Sequence, residues 1–262
     1  MCLILLAYQA HPHYPLVIAA NRDEYFNRPT QAAHHWPAPL PILAGKDLSA
    51  GGTWMGIAPN GRFAAVTNVR EPQRTPPPNP ISRGQLVTDF LASSEPTQAF
   101  LDTLGQQHEA YSGFNLVCGS VSGSVDELWH GSNRADSATL LSPGIHGVSN
   151  ASLNTPWPKL QQGKQALAEH LKHTHFQLES LLPLLNHRAR AADSDLPNTG
   201  VGLDMERLLS SRFIEGQAVG YGTRTSTALR VDNHGHMEWI EWSWNEQGQL
   251  ASHVTFSQDL QS

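Results

Sequence analysis

The chain has 262 residues, of which 39% are hydrophobic, enough to bury a substantial core. Its 17 basic and 23 acidic residues leave a formal charge of −6, which offers no general field for phosphate backbones, so nucleic acid is not an expected partner. Two cysteines, Cys2 and Cys118, cannot make a disulfide framework, and no apolar run approaches the ~20 residues that span a bilayer; the expected setting is cytoplasmic and not membrane-embedded.

In chain order, residues 2–9 and 16–24 are apolar runs of strand length, split by the turn-forming HPHYP. Residues 27–52, rich in Pro and Ala, read as a loop. TWMGIAPNGRFAAVTNVR predicts a hairpin around Pro59-Asn60-Gly61, with Asn-Gly as the turn signal. The proline-rich EPQRTPPPNP is a stiff connection. Helices come next: Ser82 can cap RGQLVTDFLASS, and a second helix covers about 96–107. GFNLVCGSV and VDELWHG predict a hairpin closed by Ser122-Gly123, and GIHGVSN predicts a short strand. Helical periodicity marks 158–170 and 178–187, with LDMERLLSSRF as a third piece. The tail returns to strands in TRTSTALRV, MEWIEWSWN and LASHVTFS. Within MEWIEWSWN, alternation sets Trp239, Glu241 and Ser243 on one face and Ile240, Trp242 and Trp244 on the other, as in a strand packed between layers. Runs of one element type predict an α+β layered domain with antiparallel sheets, a single unit over 1–262.

Cys2 raises the chemical question. Methionine aminopeptidases remove Met1 when the next residue is small, and the product carries a thiol and an α-amine on one residue. That amine, with a pKa of about 7.7–8.0, is partly a neutral base at cytosolic pH and can take the thiol proton. The competing reading is a small buried thiol at a strand start. Acyl transfer also needs donors for a developing oxyanion. Asn68 and Asn150 each end an apolar arm where such a donor would stand, and each is equally suited to a strand-end turn. In IAANRDEYFNRP, four polar residues follow an apolar run, and alternation sends two to each face. Arg22 and Asp23, an arginine beside a carboxylate near a thiol, could fix a thiolate and orient a substrate.

Cys at position 2, NRDE after the second apolar strand, GGTWMGI, GRFAAVTN, GVSNASLNTPWPK and GTRTST together resemble the NRDE-motif family, also called the transport-and-Golgi-organisation protein two family. These motifs run from Cys2 to Thr227. The resemblance implies the four-layer α-β-β-α sandwich of N-terminal-nucleophile hydrolases. In the cysteine branch of those enzymes, which includes bile-salt hydrolases and penicillin V acylases, the first cysteine attacks an amide. It implies Cys2 as nucleophile, Asn68 and Asn150 as oxyanion asparagines, and Arg224 in GTRTST as the late arginine of the site. The branch carries Arg-Asn-x-Asp in its second strand, whereas this chain reads Asn21-Arg22-Asp23-Glu24, so the arginine and acid align only with a shift. The expected function is hydrolysis or transfer at an amide or related acyl bond of a small molecule, with no cofactor required.

The family is also linked to haem trafficking and to lipid or acyl-CoA handling, so the alternative is a non-catalytic haem carrier using the same pocket. Haem needs an axial ligand and a large apolar slot. Of the 14 histidines, His34 and His35, which precede Trp36 and PAPLP, are the candidates for that ligand. No CxxCH attachment motif occurs, and the two distant cysteines give no metal spacing. A third reading is an adaptor in secretory traffic.

Overall fold

The computed structural model describes residues 2–122 and 127–261. The chain opens with β1 (Cys2–Tyr8) and β2 (Leu16–Tyr25), followed by β3 (Thr30–His35) and β4 (Leu43–Asp47). The last two fall inside the 27–52 segment expected to be a loop. They escape a propensity reading because they are short and carry Ala, Gln, His and Gly in place of β-branched residues. β5 (Met55–Ile57) and β6 (Arg62–Asn68) form the expected hairpin, and Gly61 in its turn has φ 77°, a conformation open to glycine. α1 (Arg83–Ala92) and α2 (Thr97–Gln106) follow; Ser82 precedes α1, but its side chain makes no capping hydrogen bond.

Next come β7 (Phe114–Ser120), β8 (Glu127–Ser132), β9 (Thr139–Leu140) and β10 (Gly144–Val148). The turn expected at Ser122-Gly123 runs into residues 123–126, outside the described residues. α3 (Pro158–His170) occupies the predicted span. The helix expected over 178–187 is instead a 3-10 turn, Leu178–Leu181, running into the single-turn α4 (Leu182–Leu185), because Pro183 fits only a first turn. α5 (Leu203–Leu208), β11 (Glu215–Gly216), β12 (Tyr221–Val231), β13 (His236–Trp244) and β14 (Leu250–Asp259) complete the chain. Among the described residues no helix is long and apolar enough to cross a membrane.

One sheet runs β10-β1-β2-β12-β13-β14, with β11 beside β12, and the other runs β3 to β9 in chain order. Side chains of period two give each strand two faces, and both are covered. Ile4, Leu6 and Ile18 meet Phe63, Val117 and Trp239 between the sheets. Leu3, Leu5 and Val17 point the other way, under Leu160 and Leu167 of α3. Leu86, Phe90 and Leu101 of α1 and α2 cover Ala64, Leu116 and the buried Cys118 on the second sheet. The result is the four-layer α-β-β-α sandwich, in which each buried large apolar side chain contributes about 1.5–3 kcal/mol. β13 shows the predicted division: Trp239 lies in the inter-sheet core, and Ile240, Trp242 and Trp244 lie beneath the helices.

Candidate functional site

Strand register assembles the site. Cys2 pairs with Arg22 across β1 and β2, and Arg22 pairs with Thr225 across β2 and β12. Directly opposed residues share a face. The row Cys2–Arg22–Thr225 therefore lies on the inter-sheet face, in line with Ile4 and Leu6, where the apolar layer gives way to a cleft of about 280 Å³. Asn68 from the end of β6 and Arg83 from the start of α1 line the same cleft.

Alternation divides Asn21-Arg22-Asp23-Glu24 as expected. Asn21 faces the helical layer, where its Nδ2 donates to the carbonyls of Leu185 (2.9 Å) and Arg212 (2.8 Å) and its Oδ1 accepts from Ser226 (2.6 Å). This asparagine ties sheet to helices. Arg22 faces the cleft, its Nη2 3.6 Å from Asp47 and 3.9 Å from Glu24. Arg28 meets the same Asp47 carboxylate at 2.7 Å. Burial, the largest influence, raises the Asp47 carboxyl, but the Arg28 hydrogen bond, the Ala50 and Ser49 N–H groups and the Arg28 charge together outweigh it and hold the group below its ordinary range. Asp23 borders the cleft from the other side of the strand; its Oδ1 accepts from Thr223 Oγ1 at 2.7 Å, and burial pushes its carboxyl up.

The asparagines differ. Asn68 lines the cleft half-buried, and its side chain makes no hydrogen bond among the described residues. Asn150, 1% exposed, lies behind it: its Nδ2 donates to the Asn68 carbonyl at 2.9 Å and its Oδ1 accepts from Ser149. Arg224, implied for the site by the resemblance, does not line the cleft. A β-bulge between Thr223 and Thr225 takes it out of register, and its Nη1 donates to the carbonyls of Tyr25 (2.9 Å), Phe26 (3.0 Å) and Arg28 (3.2 Å). His34 and His35 also stand away from the cleft, on edge strand β3: His34 stacks on Trp36, and the exposed His35 meets Phe256.

Burial raises the Cys2 thiol above its ordinary range, so the Arg22 nearby does not by itself make it a thiolate. Two further buried groups stand close, and neither was singled out from sequence as a site residue. Lys159, 4% exposed at the start of α3, has no hydrogen-bond partner on Nζ among the described residues; burial brings its pKa down to about 8, against the pull of the Asp23 carboxylate. The signal for it was the lysine closing GVSNASLNTPWPK. Glu241, 1% exposed, sits in the cleft floor, accepting from the Ala33 N–H at 2.8 Å and from Thr227 at 3.4 Å. A carboxylate on the same face of β13 as the inward-facing Trp239 was the signal for that one.

Burial pushes Glu241 up from 4.5 to about 7. Its folded pKa lies above its unfolded one, so folding takes up a proton between these values. Stability is then highest at the acid end of that window and falls by about 3 kcal/mol as pH rises through 7. Glu241→Gln keeps an acceptor for Ala33 and can donate to Thr227. It is expected to gain about 2–3 kcal/mol over the parent at pH 8 relative to pH 5, read from urea unfolding at both pH values. An equal difference at the two pH values would remove this role from Glu241.

The family model described as Transport and Golgi organisation 2 matches residues 1–246. The chain is 34% identical over 258 residues to the Transport and Golgi organization protein 2 homolog of Homo sapiens, covering 93% of each chain. It is 27% identical over 264 residues to Transport and Golgi organization protein 2 of Drosophila melanogaster, covering 92% of this chain and 91% of that one. Among solved structures it is similar in fold to a conjugated bile acid hydrolase from Clostridium perfringens, with TM-score 0.53 and 8% identity over 97% of this chain and 92% of that one.

Proposed function

The chain belongs to the Transport and Golgi organisation 2 family, and on that premise we propose that it hydrolyses or transfers an acyl group at an amide or related bond of a small molecule through Cys2. The observation that carries this reading is the row Cys2–Arg22–Thr225 in the floor of a cleft that also holds the uncommitted Asn68 amide. Removal of Met1 frees the α-amine of Cys2, which takes the thiol proton. The thiolate sulfur attacks the substrate carbonyl, and the charge that collects on its oxygen is met by the Asn68 amide. The protonated amine then gives its proton to the leaving group. A thioester to Cys2 remains, which water cleaves to an acid or an acceptor nucleophile carries away.

In this scheme Asn68 is the oxyanion donor and Asn150 the residue that positions it. Asn68→Ala is expected to slow turnover about 10²–10³-fold with little change in stability. Asn150→Ala should slow it less and cost about 0.5–1.5 kcal/mol, because the half-buried Asn68 carbonyl loses its partner. Normal turnover in Asn68→Ala would mean that the residue only ends a strand. Haem carriage finds less support: among the described residues no histidine or methionine lines the cleft, leaving the Cys2 sulfur as the one soft ligand. A haemin titration is expected to give no Soret band whose position depends on Cys2.

A further inference from the structure

Four basic side chains line the cleft: Arg22, Arg28, Lys46 and Arg83. Arg28 and one end of Arg22 are taken by Asp47 and Glu24, and the Lys46 ammonium lies over the Trp36 ring, 4.6 Å from its centroid. Arg83 makes no ion pair among the described residues; its single hydrogen bond runs from Nη1 to the Gly113 carbonyl at 3.1 Å. Burial lowers its pKa, and it lines the same cleft as Cys2.

A second, independent observation points to the same space. Arg22 is 6% exposed and Thr225 8%, and both line the cleft. Among the described residues, Arg22 Nη1 and Thr225 Oγ1 are buried without a hydrogen-bond partner. A guanidinium N–H buried without an acceptor is disfavoured, and a bound anion removes that cost. Arg83, Asn68 and Ser112 also border an adjoining groove of about 590 Å³, so a ligand longer than the cleft has room past Arg83.

We propose that the cleft selects substrates carrying an anionic group, a carboxylate or a phosphate, held by Arg22 and Arg83 beside the acyl bond that Cys2 attacks. The acyl bond rests on the reading above; the anion site does not, because it binds without turnover. Arg83 is a specificity-determining residue in this account, and the planar fork of its guanidinium suits either oxyanion.

The test is binding, by calorimetry, to the full-length Cys2→Ser protein, which holds its ligands uncleaved. The probes are N-hexanoylglycine, its neutral methyl ester and hexyl phosphate. The carboxylate is expected to bind about tenfold to a hundredfold more tightly than the ester, and Arg83→Met should bring the two level. Arg83→Lys, which keeps the charge without the fork, should retain part of the preference. Tighter binding of hexyl phosphate than of the carboxylate would assign the site to phosphate. Equal binding of acid and ester by the Arg83-containing protein, or an unchanged preference in a folded Arg83→Met, overturns the anion site. Turnover of amides by the Cys2 protein is scored separately, so an anion preference without turnover would sink the hydrolase reading and leave this one standing.

Discussion

Replacing Cys2 by Ser or Ala is expected to lower turnover of an identified substrate by at least about 10³-fold, the largest effect of any single change in this protein. The expectation follows from where the sulfur stands. Cys2 is 7% exposed and lines the cleft, whereas Cys118 is fully buried between α1, α2 and the second sheet. Burial raises both thiols. Neither is a ready thiolate, and only Cys2 has a base attached to it once Met1 is gone. Iodoacetamide should therefore label Cys2 well before Cys118, with a rate that rises as the α-amine loses its proton at about pH 7.7–8.0. Intact mass of protein from its native host should show a chain beginning at Cys2. Full turnover with Met1 retained, or undiminished turnover in Cys2→Ser, would end the nucleophile assignment.

The layers were legible because period-two burial on both faces leaves a strong trace. Leu3 to Tyr8 is apolar throughout because one half of it meets the opposite sheet and the other half meets α3. The Asn60-Gly61 turn and the Asn21–Glu24 alternation were readable for the same local reason. β3 and β4 were not: edge pairing of TQAAHH with LAGKD comes from the sheet they join, and no propensity in their own residues announces it. The candidate site divides along the same line. Cys2, Arg22, Asp23 and Asn68 border one cleft, as a reading of strand ends can suggest. Arg224 was misplaced because a one-residue bulge cannot be read from GTRTST, and it re-aims the side chain toward the β2–β3 loop. Arg83 and Glu241 come from elements distant in sequence, and nothing in their own neighbourhoods ties them to Cys2. Register and layer packing bring them there.

Glu206→Ala is expected to cost about 3–5 kcal/mol, a large share of the about 5–15 kcal/mol that holds a typical domain folded. Glu206 Oε2 lies 2.6 Å from Arg70 Nη1, with both side chains 5% exposed. Its Oε1 accepts from the Thr199 N–H at 2.7 Å and from the Thr199 hydroxyl at 2.6 Å. Arg70 lies over the Trp157 ring at 4.8 Å, and among the described residues its Nε and Nη2 are buried without hydrogen-bond partners and Glu206 is the carboxylate it pairs with. Burial already lowers the Arg70 pKa, and without Glu206 the guanidinium would be an uncompensated charge. The consequence reaches the cleft, because the Arg70 N–H donates to the Asn150 carbonyl at 2.8 Å and Asn150 in turn holds Asn68. Glu206→Gln separates the charge from the packing: it keeps an acceptor for Thr199 and removes only the anion. It should lose nearly as much stability as Glu206→Ala in urea unfolding. Combined with Arg70→Met, which removes the stranded cation, it should recover much of that loss, and the double-mutant cycle should show a coupling of about 2 kcal/mol or more. A loss below about 1 kcal/mol in Glu206→Ala would mean that water reaches Arg70 and that the pair does not anchor Asn150.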